Sequence, residues 1–368
     1  MIAILYREEL KEYDFGVGHP FRGSRYVIFP RFLKSRLPEN DNYRILEADW
    51  ATDEDLLMIC EREYIEFTKE YYRAVHKGLR YDGRFYRFHS EDNRPGRNPG
   101  KLEEAARLII GQAKLAADLI QEGKFRKVVS IGGGMHHAKR DYGEGFCIYN
   151  DVAFTARYLI EKHGLKRILV IDTDAHAGNG TCEYFYSDPR VLFIDLHQDP
   201  STIYPGTGFA SEIGSGEGRG YTINIPMPLY SGYASYQKVF EEVVQPVTEE
   251  FKPQIIIRNG GSDPHFDDPL TRLGLPVEGF RMIGEKVRAL AEVCGGKEID
   301  LIASGYNEKV LPHAWLALIS GLAGFKVEVR EPTSIPERIT KRIDPIKETE
   351  NVIEEVKRNL KDYWRSLH

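Results

Sequence analysis

The segment Ile168-Leu-Val-Ile-Asp172-Thr-Asp174-Ala-His176 decides the fold. It opens with four consecutive apolar, mostly β-branched residues and no alternation, which suits a strand buried on both faces of a parallel sheet. That run passes directly into Asp172, Asp174 and His176. Open α/β sheets gather ligands beyond the carboxyl ends of their strands, so one segment predicts both a sheet and a functional rim.

The same pattern extends outward in both directions. Apolar runs at Ile2–Tyr6, Arg44–Ala48, Val128–Ile131, Val191–Ile194, Tyr221–Ile225, Ile255–Ile257 and Leu301–Ala303 read as further strands. Between them, Lys101–Gly123, Asp151–His163, Tyr233–Phe251 and Gly279–Val293 carry helical spacing. Asp151–His163 follows an Asn-Asp cap and stops at Gly164. Alternating strands and helices predict an α/β fold, a single three-layer domain with a mostly parallel eight-stranded sheet and helices on both faces. The domain is expected over residues 1–330. Residues 331–368 read as a polar, Pro-broken connector (Arg330–Pro345) and an amphipathic helix (Ile346–Leu367). That helix places Ile353, Val356, Leu360, Trp364 and Leu367 on one face, expected to pack on the domain's own surface rather than on another protomer.

Composition sets the outer bounds. The chain has 368 residues, 42% hydrophobic and 29% charged, enough to build a sizeable core and too apolar for a disordered state. A net charge of −6 argues against sequence-independent nucleic-acid binding, which needs a basic face. Cys60, Cys147, Cys182 and Cys294 are far apart and form no C-x-x-C, so idle thiols in a reducing compartment are expected. The N-terminal residues lack the basic start and long apolar stretch of a signal peptide, and no run reaches the roughly 18–20 apolar residues of a membrane span. The expectation is a cytoplasmic protein with no membrane partner.

Five apolar runs end in chemically capable residues. Val128–Ile131 leads to Gly-Gly-Gly-Met-His136-His137, and Val191–Ile194 to Asp195-Leu-His197. Ile255–Ile257 leads to Arg258-Asn259-Gly260-Gly261-Ser262-Asp263, and Leu301–Ala303 to Ser304-Gly305-Tyr306. With the opening segment, they converge on one rim. Asp174, His176 and Asp263 could hold one divalent metal and leave a position open to water, the catalytic rather than the structural zinc arrangement. His136 and His137 could handle protons, with Asp172 and Asn179 as partners, because two buried histidines each need one. Tyr306 could donate its hydroxyl to a developing oxyanion. Together they predict metal-assisted hydrolysis of a carbonyl compound. Two-metal, arginase-like chemistry is the nearest rival, but Gly178 and His265 stand where bridging carboxylates would be needed.

The stretches GGGMHHA…GEGFCIYND, DTDAHAGNGT, YPGTG, GGSDPHFDDPLTRL and SGYNEKVLPHAW resemble the histone deacetylase superfamily, most closely its acetoin-utilisation (AcuC-type) prokaryotic members, from about Gly18 to Phe325. The resemblance implies an arginase/deacetylase-like fold. It implies zinc, with ferrous iron as the other ion such a site takes, on Asp174, His176 and Asp263. By resemblance His137 is the general base and His136 an electrostatic or proton-donating partner, Asp172 and Asn179 orient them, and Tyr306 polarises the acetyl carbonyl. Gly145, Phe146, Tyr204 and Leu270 match the walls of a narrow substrate tunnel, and Arg25 matches an arginine near an internal acetate cavity. A structural potassium ion is implied near Asp172, Asp174, His176, Asp195 and Leu196.

The chain departs from the family at several points. Ala177 replaces a histidine of many members, Asn179 an aspartate of some, and Asp195 a serine of several, while the glycine run before Tyr306 is shortened to Ala303-Ser304-Gly305. A neutral Asn179 should leave His137 less basic than a carboxylate would. Asp92, in the loop Glu91–Gly100, reads as a solvated loop residue rather than a rim acid that grips substrate. The expected substrates are an acetylated lysine in a protein or peptide, or a small acetylated amine such as an acetylpolyamine. An inactive acyl-lysine binder is the alternative from another class. The oligomeric state is expected to be monomer or dimer.

Overall fold

In the computed structural model, which describes residues 1–79, 83–334 and 344–368, the opening segment forms strand β4 (Ile168–Asp172) near the middle of the sheet. The other strands are β1 (Ile2–Leu5), β2 (Tyr43–Leu46), β3 (Lys127–Ile131), β5 (Val191–Gln198), β6 (Thr222–Met227), β7 (Ile255–Asn259) and β8 (Glu298–Ile302). They form one eight-stranded sheet in the order β2-β1-β3-β8-β7-β4-β5-β6. Every pairing is parallel, so the mostly parallel sheet expected from the sequence is parallel throughout its named strands.

All residues of β4, β5, β7 and β8 are buried. Both faces of the central sheet are therefore covered, which is why β4, β5 and β7 open as continuous apolar runs. The covering helices include α1 (Arg25–Arg36), α2 (Arg62–His76), α3 (Leu102–Gln121), α4 (Asp151–His163) and α5 (Asn179–Phe185). Asn150 caps α4 by accepting from the Ala153 N–H at 2.8 Å, and Gly164 ends it with a left-handed φ of 70°. The predicted helix Tyr233–Phe251 is built of α6 (Tyr233–Val239), a π turn (Phe240–Val244) and α7 (Gln245–Phe251). Pro246, with no N–H to give the preceding turn, lies beside that irregularity. Next come α8 (Val277–Ala291) and α9 (Leu311–Ala323), which pack on each other.

Strand β8 begins three residues before its predicted start; its first half carries Glu298 and Asp300 and so does not read as an apolar run. Glu298 and Asp300 are fully buried, yet Lys127 donates to Glu298 at 2.7 Å and the Arg258 guanidinium grips Asp300. Removing one partner from such a pair typically costs about 3–5 kcal/mol, because it strands a buried charge.

The C-terminal element also differs from its prediction. Helix α10 (Ile346–Leu360) stops before Trp364 and Leu367, which lie on an extended residue and a short 3-10 turn. All five predicted contact residues are nonetheless buried, and α10 packs against β6 and α6. The Trp364 indole donates to the Gly220 carbonyl at 2.7 Å. Most of the predicted connector, residues 335–343, lies outside the described residues. Among the described residues, no helix is long and apolar enough to cross a membrane. Four free cysteines remain apart.

Candidate active site

Parallel registry brings the strand ends to one level. Asp172, the last residue of β4, is paired with Asp195 of β5 and with Asn259, the last residue of β7. The loops beyond these ends carry Asp174, His176 and Asp263. Ligand atoms of these three residues lie within 4.8 Å of one another. His176 Nδ1 sits 3.1 Å from Asp174 Oδ1 and 3.1 Å from Asp263 Oδ2. The Ser304 hydroxyl donates to the other Asp263 oxygen at 2.7 Å.

Burial and the neighbouring Asp174 charge push the Asp263 carboxyl up to about 8. Burial opposes a charge on His176, but Asp174 and Asp263 outweigh it and raise the ring to about 10. Two buried carboxylates facing one imidazole form a site that calls for positive charge, and a divalent cation with nitrogen and oxygen ligands fits it. The donor set suits zinc or ferrous iron.

Beside the triad, the histidine pair occupies the loop after β3. Asp151, at the start of α4, accepts from the backbone N–H groups of Gly134 and Met135 at 2.8 and 2.7 Å, fixing the glycine loop. His136 Nδ1 lies 2.8 Å from Asp172 Oδ2, which also accepts from the Asn259 amide at 2.8 Å. His137 Nδ1 lies 2.7 Å from Asn179 Oδ1. The two Nε2 atoms face each other at 3.1 Å. Because each Nδ1 faces an oxygen acceptor, each donates there, and one proton must lie between the Nε2 atoms. Burial disfavours charge on His136, but Asp172 and Asp174 prevail and raise it to about 9. Burial, His136 and His176 drive His137 well below its usual range. The pair thus divides into a charged and a neutral ring.

Tyr306 follows β8 and is held by its backbone N–H donating to Asp268 Oδ2 at 2.8 Å. Burial pushes its hydroxyl far up, so it stays protonated. Its ring meets Phe146 edge-on at 5.9 Å between centroids. The Arg25 guanidinium sits behind it, 5.4 Å from the ring centroid, and donates to the Ala303 carbonyl at 2.7 Å.

Gly145 and Phe146 lie against the His137 and Tyr306 rings respectively. Gly145 has φ of +60°, and a Cβ there would strike the His137 ring. Tyr204 meets the His137 ring at 5.1 Å from the other side. Tyr204 is 40% exposed and Leu270 41%, so both face outward. Asp92 is not a freely solvated loop residue: it accepts from the Gly145 N–H at 2.9 Å and is half-buried. At the position implied for potassium, Asp195 Oδ2 accepts from Gly178 N–H at 2.8 Å and Oδ1 lies 2.9 Å from His197 Nδ1. Leu196 is fully buried in β5 beside them.

Asn259, Glu144, Ser304 and Asp268 hold Asp172, Asn179, Asp263 and Tyr306 directly, and Asp151 holds the glycine loop before His136; none of the five has an assigned role in the sequence pattern. Only the strand register, which aligns Asn259 with Asp172, could have singled one of them out.

A family model described as the histone deacetylase domain matches residues 19–322. The chain is 35% identical over 369 residues to a "Probable deacetylase" of Archaeoglobus fulgidus, spanning 99% of this chain and 98% of that protein. It is 36% identical over 319 residues to the "Acetoin utilization protein AcuC" of Staphylococcus aureus, spanning 85% and 79%. The crystal structure of the HDA15 HD domain superposes with a TM-score of 0.82 at 25% identity, covering all of this chain and 96% of that one. Its sheet, its converging strand ends and a family match over most of its length place this chain in the histone deacetylase family.

Proposed function

We propose that this deacetylase-family chain is a metal-dependent amide hydrolase that removes the acetyl group from an acetylated lysine side chain or a similar acetylated amine. The observation that carries the reading is the Asp174–His176–Asp263 triad beside a histidine pair held by Asp172 and Asn179, with Tyr306 at the end of the neighbouring strand β8. In this reading Asp174, His176 and Asp263 hold zinc, with ferrous iron as the competing ion. When bound, such an ion supplies a Lewis acid for the amide carbonyl and makes nearby water more acidic.

The remaining steps belong to the chain. His137, neutral at Nε2, takes a proton from the attacking water. Tyr306 donates its hydroxyl to the carbonyl oxygen as negative charge develops there. Protonated His136 gives its proton to the departing amine nitrogen, so water and amide become acetate and amine. Asp172 and Asn179 hold the two rings. Gly145, Phe146, Tyr204 and Leu270 line the approach for an extended methylene chain, and Arg25 braces Tyr306 from behind. The potassium implied by the resemblance carries no step in this reading; at its position Asp195 Oδ2 accepts from Gly178 N–H while Oδ1 only faces His197 Nδ1 at 2.9 Å.

The test is turnover by zinc- and iron(II)-loaded protein on acetyl-lysine peptides, acetylpolyamines and small amides. The expected result is acetate release, reduced on the order of 10²-fold or more in kcat by Tyr306→Phe, as for other lost oxyanion donors. Unchanged turnover in that variant sinks the assignment, and the ranking of substrates separates peptide from polyamine.

A further inference from the structure

We infer that Glu144 is a positioning residue for His137, acting through Asn179 to decide which imidazole nitrogen carries the proton. The inference deepens the reading of His137 as the base and rests on it for its catalytic consequence.

An asparagine amide has two ends of nearly equal shape and opposite hydrogen-bonding character. If its NH₂ end faced His137, Nδ1 would have to accept. The ring proton would then sit on Nε2, the atom that faces His136 and must take a proton. An aspartate at position 179 would face no such ambiguity, since both its oxygens accept. Asn179 needs something to hold it the right way round.

Glu144 meets that need. Its Oε1 accepts from Asn179 Nδ2 at 2.8 Å, leaving Oδ1 to face His137 Nδ1 at 2.7 Å. The Glu144 side chain is only 14% exposed and pairs with Lys139 at 3.3 Å; Lys139 also reaches Glu183 at 3.5 Å. A carboxylate held by an ammonium can only accept, so it selects the NH₂ end of the amide. Glu144 directly precedes Gly145, the residue that packs on the His137 ring. One turn therefore sets both where the ring lies and where its proton sits. The design keeps a neutral group against His137 and moves the negative charge one residue outward.

The experiment compares zinc-loaded wild type, Glu144→Gln, Asn179→Asp and the double variant, with Lys139→Met as a second perturbation that leaves Glu144 in place. Glu144→Gln can accept or donate, so Asn179 is freed to turn. The expected result is a kcat loss of roughly 10- to 100-fold, the range for groups that orient a site from behind, with KM within about twofold. Lys139→Met should lower kcat in the same direction by less. On the Asn179→Asp background, Glu144→Gln should raise kcat, because two facing carboxylates are reduced to one. Equal losses in both backgrounds would mark a merely structural role and overturn the inference.

A second readout needs no turnover. With ¹⁵N-labelled histidine, His137 of the wild type should show a protonated Nδ1 and a bare Nε2, and Glu144→Gln should show the opposite tautomer as well. A wild-type tautomer in Glu144→Gln overturns the inference. If wild type hydrolyses no acetylated substrate while the tautomer still responds to Glu144, the deacetylase reading fails and the positioning role stands.

Discussion

His136 and His137 bring their Nε2 atoms within 3.1 Å of each other, and their outer nitrogens are held by unlike partners, the Asp172 carboxylate and the Asn179 amide. Adjacent residues of identical chemistry are thereby made different. The neutral ring is His137, so His137→Ala should lower kcat by about 10²–10⁴-fold, the usual span for a positioned base. Steady-state kinetics of the metal-loaded variant checks it. A loss confined to KM would show that the residue only helps to bind substrate.

Gly145 is a steric requirement of the same pair. Its φ of +60° and its contact with the His137 ring leave no room for a methyl group. Gly145→Ala should therefore displace the imidazole and cost on the order of 10²-fold in kcat, as displacements near 1 Å do elsewhere. Circular dichroism should show the fold retained. Wild-type kcat in this variant would mean that the ring has slack the contact does not suggest.

The triad predicts a metal-dependent stability. Loading with zinc to about 1,000 times its dissociation constant should add about 4 kcal/mol to the folded state. A chelator should abolish turnover and remove that gain, and Asp263→Asn should shrink the metal-dependent rise in Tm. Differential scanning calorimetry with and without the ion measures both. A Tm indifferent to zinc would show that these residues do not bind it tightly.

His89 predicts a pH effect away from the site. Burial holds this imidazole at about 3, and it packs among Tyr64, Phe67 and Phe85 with Nε2 on the Thr68 hydroxyl at 3.0 Å. Its folded pKa is depressed below the unfolded value near 6.5. Between those values the unfolded chain binds the extra proton, so stability is present above about 6.5 and is lost as pH falls toward 3. The slope from this residue is at most about 1.4 kcal/mol per pH unit. Urea unfolding at pH 7 and pH 5 should show the loss, and His89→Gln should reduce it. An identical pH response in the variant would remove His89 as a source.

The sheet was legible because Ile168–Ile171, Val191–Ile194 and Ile255–Ile257 are apolar throughout, as doubly covered strands must be. The first half of β8 was not, because Glu298 and Asp300 look like surface residues until Lys127 and Arg258 are seen beside them. Residues that meet at strand ends were readable from their position after each run. The groups that hold them, Glu144, Asn259 and Asp268, were not, because their contacts span 35, 87 and 38 residues of chain and no local period records such distances. At the C-terminus the apolar spacing named the right contact residues but extended the helix too far. Trp364 and Leu367 reach the same surface from a turn, held by the Gly220 carbonyl.

The parallel order of the central strands has a kinetic consequence. The histidine pair follows β3, Tyr306 follows β8, Asp263 follows β7, and Asp174 and His176 follow β4, and these are four neighbours in the sheet. In sequence they span residues 136 to 306. No fragment shorter than that span can assemble the centre, and parallel strands so far apart in the chain pair slowly. During synthesis the protein is inert until its last core strand docks between β3 and β7. Asp174, His176 and Asp263 come from β4 and its direct neighbour β7, so the triad can assemble before β8 emerges, whereas Tyr306 reaches it only with that final strand: the centre can gather its ligands first and its hydroxyl donor last.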